Sequence, residues 1–378
     1  MEFEEKTKDV SNQLDCRECG ALLKYAPGTT HLKCEYCGCE NEIKAAAETT
    51  VVEEIDFEKF LNENGVGVEK QEIVTVKCNN CGASSTLKPN ITSDSCPFCA
   101  SPLVITGGTA NSIIKPKYLL PFKVDQKTAF EDFKAWIKSL WFAPNDLKNY
   151  ADNAEKLNGM YIPYWTYDSK TMSDYTGERG IDYTTVETYT TVEDGKTVTR
   201  ERTVTRTRWS YVSGTVYNDF DDVLVLASNS LPESYTNALE PWDMQNITSY
   251  NDQYLSGFRT ESYQVDVKTG FEKSKVIMNG EIRNTICAHI GGDHQRIGSV
   301  ETTYNDITFK HILLPIWLSA YRYNDKVFRF MINGRTGEVQ GERPYSVIKI
   351  VLTSLLVIAI GVGIYFGIRY YNQTHQFR

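Results

Sequence analysis

The sequence predicts an α+β fold: two N-terminal zinc ribbons, a mixed domain rich in antiparallel strands, and one C-terminal transmembrane helix. Three observations carry this. A four-cysteine pattern occurs twice at a constant offset, the apolar period alternates between 3.6 and 2 without βαβ regularity, and an apolar run lies near the C-terminus. The expected segments are 1–48 (first ribbon), 49–72 (helical linker), 73–108 (second ribbon), 109–345 (α+β domain with a long β-hairpin), 347–370 (transmembrane helix) and 371–378 (short tail). Among 378 residues, 41% are hydrophobic and 24% charged, which suits a globular chain and excludes a mostly disordered one.

The cysteines come first. Cys16-x2-Cys19 and Cys34-x2-Cys37 are separated by fourteen residues, and Cys78-x2-Cys81 and Cys96-x2-Cys99 repeat the arrangement 62 positions later. Each Cys-x2-Cys makes a tight knuckle, and two knuckles on short hairpins bring four thiolates into the tetrahedron that Zn²⁺ prefers. Gly20, Gly38 and Gly82 follow the second thiol of their knuckles, where a positive φ lets the backbone turn around the metal. At the fourth knuckle Ala100 replaces the glycine. The expected ligands are Cys16, Cys19, Cys34, Cys37, Cys78, Cys81, Cys96 and Cys99, holding two structural Zn²⁺ ions. Iron in the same tetrahedron is not excluded by spacing. A ribbon of about 25 residues has few large apolar side chains, so metal binding is expected to supply most of its folding free energy. Cys39 and Cys287 are expected to be bystanders.

Between the ribbons, Asp56 is a helix N-cap before the stripe Phe57, Phe60 and Leu61, and Gly65 is the stop. Past Gly107-Gly108, Pro116 and Pro121 flank an extended Lys117–Leu120. Asp125 caps an amphipathic helix whose Phe130, Phe133, Trp136, Ile137, Leu140 and Trp141 are assigned to the core, and Pro144 ends it. A second helical stretch is expected from about 145 to 157. The period then changes to two. Tyr161–Tyr167 reads as an edge strand because Pro163 cannot donate to a ladder. Thr184–Val192 and Thr197–Trp209 flank a turn at Asp194-Gly195, forming a projecting hairpin. Its return strand lines up Arg200, Arg202, Arg206 and Arg208, a face for cross-strand pairs with Glu187 and Glu193 or for acidic headgroups or a partner. A helix over Val267–Ile290 turns Phe271, Met278, Ile282 and Ile286 inward. Ile307–Tyr323 and Val327–Ile332 make a hairpin around Asn324-Asp325, followed by a tight turn at Asn333–Gly337.

From Ile350 to Ile368 the chain runs 19 residues without a charge, about 28 Å of helix against a hydrocarbon core of ~30 Å. Lys349 and Arg369 bracket it, and Tyr345, Tyr365, Phe366, Tyr370 and Tyr371 suit the interfaces. Ala359, Gly363 and Gly367 form a small-residue row through which helices could associate, so an oligomer through this helix is one expectation. The N-terminal Met1–Lys6 has neither the basic nor the apolar region of a secretory signal. Reduced thiols on metal then place the N-terminal bulk in the cytoplasm and make this a single-pass cell-membrane protein.

Local charge decides what the ribbons contact. Of the net charge of −9, residues 1–110 carry −8, from 10 Lys plus Arg against 18 Asp plus Glu. Nucleic-acid binders need basic patches to displace counterions from phosphates. This disfavours nucleic acid and favours protein partners. No Gly-x4-Gly-Lys-Ser/Thr, Gly-x-Ser-x-Gly, His-Glu-x-x-His or Gly-x-Gly-x-x-Gly occurs. Among five histidines, His289 and His294 with Asp293 form the one cluster that suggests a metal or acid/base site, and a polar helix terminus accounts for them equally well.

Several segments carry a family resemblance: the tandem ribbons, Leu120-Pro-Phe-Lys, Tyr161-Ile-Pro-Tyr-Trp, Leu239-Glu-Pro-Trp-Asp, Tyr254-Leu-Ser-Gly-Phe, Leu314-Pro-Ile-Trp and Asn333-Gly-Arg-Thr-Gly-Glu-Val. Over nearly its whole length the chain resembles bacterial TFIIB-type zinc-ribbon, tail-anchored membrane proteins, which often bear a misleading primosomal-protein-N′/helicase-like label. The resemblance implies association with phage-shock-protein-A-like and SPFH proteins in membrane-stress systems, and it brings no catalytic residues. The expected function is a non-enzymatic, membrane-anchored adaptor or scaffold that docks cytoplasmic proteins. The alternative is a membrane-tethered nucleic-acid-binding protein.

Overall fold

The computed structural model describes residues 14–43, 53–63, 65, 68–78, 84–86, 93–96, 98, 102–104, 109–145, 147, 157–193, 196–323 and 326–375. Its mixed α+β architecture, mostly antiparallel and ending in one apolar helix, is the class the sequence predicts.

The first ribbon is a three-stranded antiparallel sheet of β1 (Lys24–Tyr25), β2 (His31–Lys33) and β3 (Glu40–Glu42). Next, β4 (Ile55–Asp56) leads into α1 (Phe57–Asn62), where Asp56 accepts the Lys59 amide at 2.7 Å. Gly65, at φ +70°, closes the helix by donating to the Phe60 carbonyl at 2.9 Å, the cap and stop expected. The second cysteine segment contains β5 (Lys70–Lys77), β6 (Ser84–Thr86), β7 (Ser93–Ser95) and β8 (Pro102–Val104). β5 pairs with β6 and also with β9 (Thr109–Ile114), a strand the sequence reading placed in the following domain.

After β10 (Tyr118–Leu119) comes α2 (Gln126–Ser139), capped by Asp125 accepting the Thr128 amide at 2.8 Å. Phe133 and Ile137 are buried, and Phe133 stacks on Phe330 at a centroid distance of 3.7 Å. Trp141, expected in the core, is 75% exposed. The helix stops at Ser139, so the helical period no longer carries Trp141 onto the buried face. The helix expected over 145–157 lies mostly outside the described residues.

The framework is a set of unusually long strands: β11 (Asn158–Glu193), β12 (Lys196–Leu226) and, after the short α3 (Glu233–Asn237), β13 (Thr248–Ser249), β14 (Arg259–Thr260) and α4 (Val267–Ile290), β15 (His294–Tyr323). β16 (Lys326–Asn333), β17 (Val339–Gly341) and α5 (Val347–His375) complete the chain. The main sheet runs β12-β11-β15-β10-β13, with β4 and β16 also on β15 and β14 on β11.

β11 is therefore central, not an edge strand: it pairs antiparallel with β12 on one side and β15 on the other. Pro163 fits because β12 leaves the sheet beside it. The Pro163 carbonyl accepts the Ala227 amide at 3.0 Å, and the Ala227 carbonyl, which would have taken a reciprocal donor, accepts from Gln264 and Val265 at 2.8 and 3.1 Å. The root of β11 is buried on both faces. Met160, Ile162 and Tyr164 meet Leu239, Trp242, Ile312 and Leu314 in one cluster. On the opposite face Tyr161 joins the cluster of α2 and Trp317, and Trp165 and Tyr167 join that of α4.

The 24-residue α4 buries Phe271, Met278, Ile282 and Ile286, as expected, and ends at Ile290. Beyond that end the β11–β12 hairpin loses its apolar cover. Its outer part, from Ile181 to Arg208, is exposed or half-exposed throughout its described residues and projects. Glu193 pairs with Lys196 in register, and the expected turn residues Asp194 and Gly195 lie outside the described residues.

Candidate metal centre

The two knuckles of the first ribbon share one geometry. In the first, the Gly20 amide donates to the Cys16 carbonyl at 2.8 Å and the Cys16 amide to the Ala21 carbonyl at 2.8 Å. In the second, Gly38 donates to Cys34 at 3.0 Å and Cys34 to Cys39 at 2.9 Å. Gly20 and Gly38 have φ of +72° and +75°, the left-handed conformation expected after each second thiol.

These turns aim four sulfurs at one point. Cys16, Cys19, Cys34 and Cys37 have Sγ atoms that all lie within 4.8 Å of one another. Cys16 and Cys37 approach to 3.5 Å, as do Cys19 and Cys34. A tetrahedron with metal–sulfur bonds of about 2.3 Å has sulfur–sulfur edges of about 3.8 Å, whereas a disulfide is about 2.05 Å long. The cluster has the size of a metal site, and all four thiols are free. It could hold a metal ion.

Electrostatics agree. The Cys37 and Tyr36 amides hold the Cys34 thiol down to about 6, and the Cys19 and Glu18 amides lower Cys16. On Cys37 the Cys39 amide acts downward, but the Cys16 and Cys19 thiols outweigh it and push Cys37 up to about 12. Four thiols this close cannot all ionise unaided, and a divalent cation held among them would supply the missing charge.

The ribbon also docks on the body. Leu23 and Leu32 are fully buried, and Tyr25 and Ile43 nearly so, in one cluster with Phe133, Tyr161 and Phe330. The Tyr25 amide donates to the Ser256 carbonyl at 3.0 Å, the Gly28 amide to Phe122 at 2.9 Å, and the Tyr25 hydroxyl to Phe122 at 3.1 Å. Burial thus helps to order a segment whose sequence suggests metal alone. In the second segment Cys78 and Cys96 are buried with Phe98, Tyr118 and Leu120. Cys81 and Cys99 lie outside the described residues. Cys39, a bystander by sequence, points its thiol at Asn41, with Sγ 3.6 Å from Oδ1. Cys287 is half-buried on α4.

His289, Asp293 and His294 do not form a site. His289 Nδ1 is 2.9 Å from the Tyr175 hydroxyl, while His294 Nε2 is 3.1 Å from Asp182 Oδ2 and Asp293 accepts the Asp182 amide at 2.8 Å. The three residues hold the α4–β15 turn against β11.

Two polar clusters have no sequence signal, because their members are remote in the chain. Lys310, 3% exposed, reaches Glu54 at 3.1 Å, Asp168 at 3.7 Å and Asp222 at 2.7 Å. Burial acts to lower its pKa, but Asp222 and Asp168 outweigh that and raise it; Asp168 is pushed up to about 6, first by burial and then by Glu54. The Lys310 ammonium is the cation these carboxylates share. Elsewhere Glu261, 1% exposed, accepts from Ser230 and, at 2.8 Å, from Gln264, and burial pushes it up to about 7.

The segments that carry the family resemblance converge as scaffold. Asn333 donates to the Leu239 carbonyl at 2.9 Å, and Arg335 pairs with Asp243 and donates to the Pro121 carbonyl at 3.2 Å. The Gly334 amide meets Pro315 at 2.9 Å, and Trp317 donates to Val124 at 2.9 Å. A Cβ at Gly334 would lie 2.7 Å from the Phe122 ring, so only glycine fits there without displacing the ring.

At the other end, residues Val347–Tyr371 of α5 form a stretch of 25 residues whose most apolar 18-residue window has mean hydropathy 2.6 and is not buried, long and apolar enough to span a membrane.

No protein-family model matches the chain, and no solved structure matches it. Among curated proteins it is similar to a Bacillus subtilis (strain 168) protein named "Uncharacterized protein YdjG". The two are 23% identical over 242 residues, 62% of this chain and 65% of that relative. The similarity therefore spans a little under two thirds of the relative's length.

Proposed function

We propose that this chain is a non-enzymatic, membrane-anchored adaptor whose zinc ribbons dock cytoplasmic protein partners at the membrane in a stress response. The observation that carries the reading is the apolar helix α5, whose most apolar window has no buried residue, on a body that is otherwise packed. Such a helix in water would be an aggregation hazard, and in a bilayer it is an anchor.

In this reading Cys16, Cys19, Cys34 and Cys37 hold one Zn²⁺ and Cys78, Cys81, Cys96 and Cys99 a second. Four thiolates leave no open coordination position for water or substrate, so the metal is structural. The acidic ribbon segment favours protein partners over nucleic acid. Partners of the phage-shock-protein-A-like and SPFH classes follow from the resemblance.

The test uses the full chain in vesicles, with a purified phage-shock-protein-A-like or SPFH protein as the probe. Wild type is expected to retain the probe and Cys16→Ser with Cys78→Ser to lose it, both remaining in the membrane after an alkaline carbonate wash. Equal retention by wild type and variant removes the docking role of the ribbons. Salt-dependent capture of DNA or RNA instead would replace the adaptor reading with a nucleic-acid one.

A further inference from the structure

Six tryptophans occur in the chain, and five are buried or half-buried: Trp136, Trp165, Trp209, Trp242 and Trp317. Trp141 is 75% exposed, and its neighbour Phe142 is 39% exposed. They sit in the short loop after α2, between Leu140 and Ala143, both buried. An exposed indole beside an exposed phenyl ring costs solvation free energy in water and calls for an apolar cover.

The surroundings say which cover. The Ser346 amide donates to the Phe142 carbonyl at 2.7 Å. Lys349 Nζ donates to the carbonyls of Ala143 at 2.7 Å and Trp141 at 3.2 Å. The Ser346 hydroxyl accepts the Lys349 amide at 3.4 Å, joining these contacts to the first turn of α5. The uncharged run begins at Ile350, the next residue. Three hydrogen bonds therefore hold the loop at the level where the apolar helix starts.

The span of 25 residues is about 37 Å long, against a hydrocarbon core of ~30 Å, so its first turn lies among headgroups. Tryptophan is enriched in that layer, where its ring is buried and its N–H remains hydrated. Lys138, exposed in the last turn of α2, adds a positive charge suited to anionic headgroups.

We propose that the Trp141–Phe142 loop is a second membrane contact, a foot that inserts into the bilayer interface beside α5 and fixes the tilt of the body on the membrane. It rests on the reading of α5 as a membrane anchor. A lone transmembrane helix leaves the body free to swivel, and a contact held one loop away removes that freedom.

The test reconstitutes the full chain in phosphatidylcholine and phosphatidylglycerol vesicles, with and without bromine on the acyl chains near the headgroup, and compares wild type with Trp141→Phe. Phenylalanine keeps an apolar ring at the site, so folding is preserved. Wild-type emission is expected to be quenched by brominated lipid, and Trp141→Phe to lose most of that quenching. Equal quenching of the two proteins in vesicles that keep them through a carbonate wash overturns the foot and leaves the anchor standing. Release of both proteins by the wash overturns anchor and foot together.

Discussion

The first ribbon and the outer half of the β11–β12 hairpin differ in what holds them. The ribbon has three strands of two or three residues, yet four thiols meet at its centre and Leu23, Tyr25 and Leu32 are sunk into the body. The hairpin has a continuous ladder from Ile181↔Arg208 to Glu193↔Lys196, and its outer half has no buried face. Its pairings are polar: Glu187 with Arg202 and Arg206, and Arg208 over the Tyr183 ring. The pairs with Glu187 are those expected from sequence. Many hydrogen bonds keep a strand pair in register, but only buried apolar surface or metal fixes a segment against its neighbours.

The largest break in this contrast should come from the thiols. If the four thiols hold a metal as proposed, Cys34→Ser, or treatment with a chelator, is expected to abolish amide-exchange protection at Cys16, Leu32 and Cys34 while the hairpin stays protected. Structural zinc contributes about 10–16 kcal/mol in small zinc fingers. Next comes burial: Leu32→Ala should cost about 2–5 kcal/mol in urea unfolding, whereas Val186→Ala on the hairpin should stay within about 0.5 kcal/mol.

Acidity offers a sharper comparison. Burial holds Glu261, at the root of the sheet, up to about 7. From the ordinary carboxylate value of about 4.3 to that point, the folded state keeps a proton that the unfolded chain has lost, so stability falls as pH rises. Glu261→Gln should flatten this slope and raise stability at pH 8 by on the order of 3–4 kcal/mol. Glu187 behaves oppositely: Arg206 first and Arg202 second lower its pKa, so its contribution is present at neutral pH and fades as acid protonates it. The smallest effect belongs there. Arg202→Ala with Arg206→Ala should leave the urea-unfolding midpoint unchanged within error, because exposed ion pairs are screened by solvent and salt.

What could be read from the sequence follows chain distance. The helix over Val267–Ile290 and the caps Asp56 and Asp125 were legible because period and capping are local signals. The Cys16–Cys37 cluster was legible because knuckle spacing encodes its own geometry. Pro163 misled: an edge strand is the usual home for proline, and nothing local shows that Gln264 and Val265 take over the Ala227 carbonyl. Trp141 misled because the apolar stripe continues two residues past the end of its helix. Lys310 and Glu54 lie 256 residues apart, and no pattern in either segment announces their pairing.

The most direct measurement is the metal content of the full chain purified from membranes under reducing conditions, for wild type and for Cys34→Ser. Two zinc ions per chain are expected, falling to one in the variant as the first tetrahedron is lost while the second remains. A metal-free wild type, iron in place of zinc, or a zinc content unchanged by Cys34→Ser would contradict the closed four-thiolate zinc site on which the adaptor reading stands.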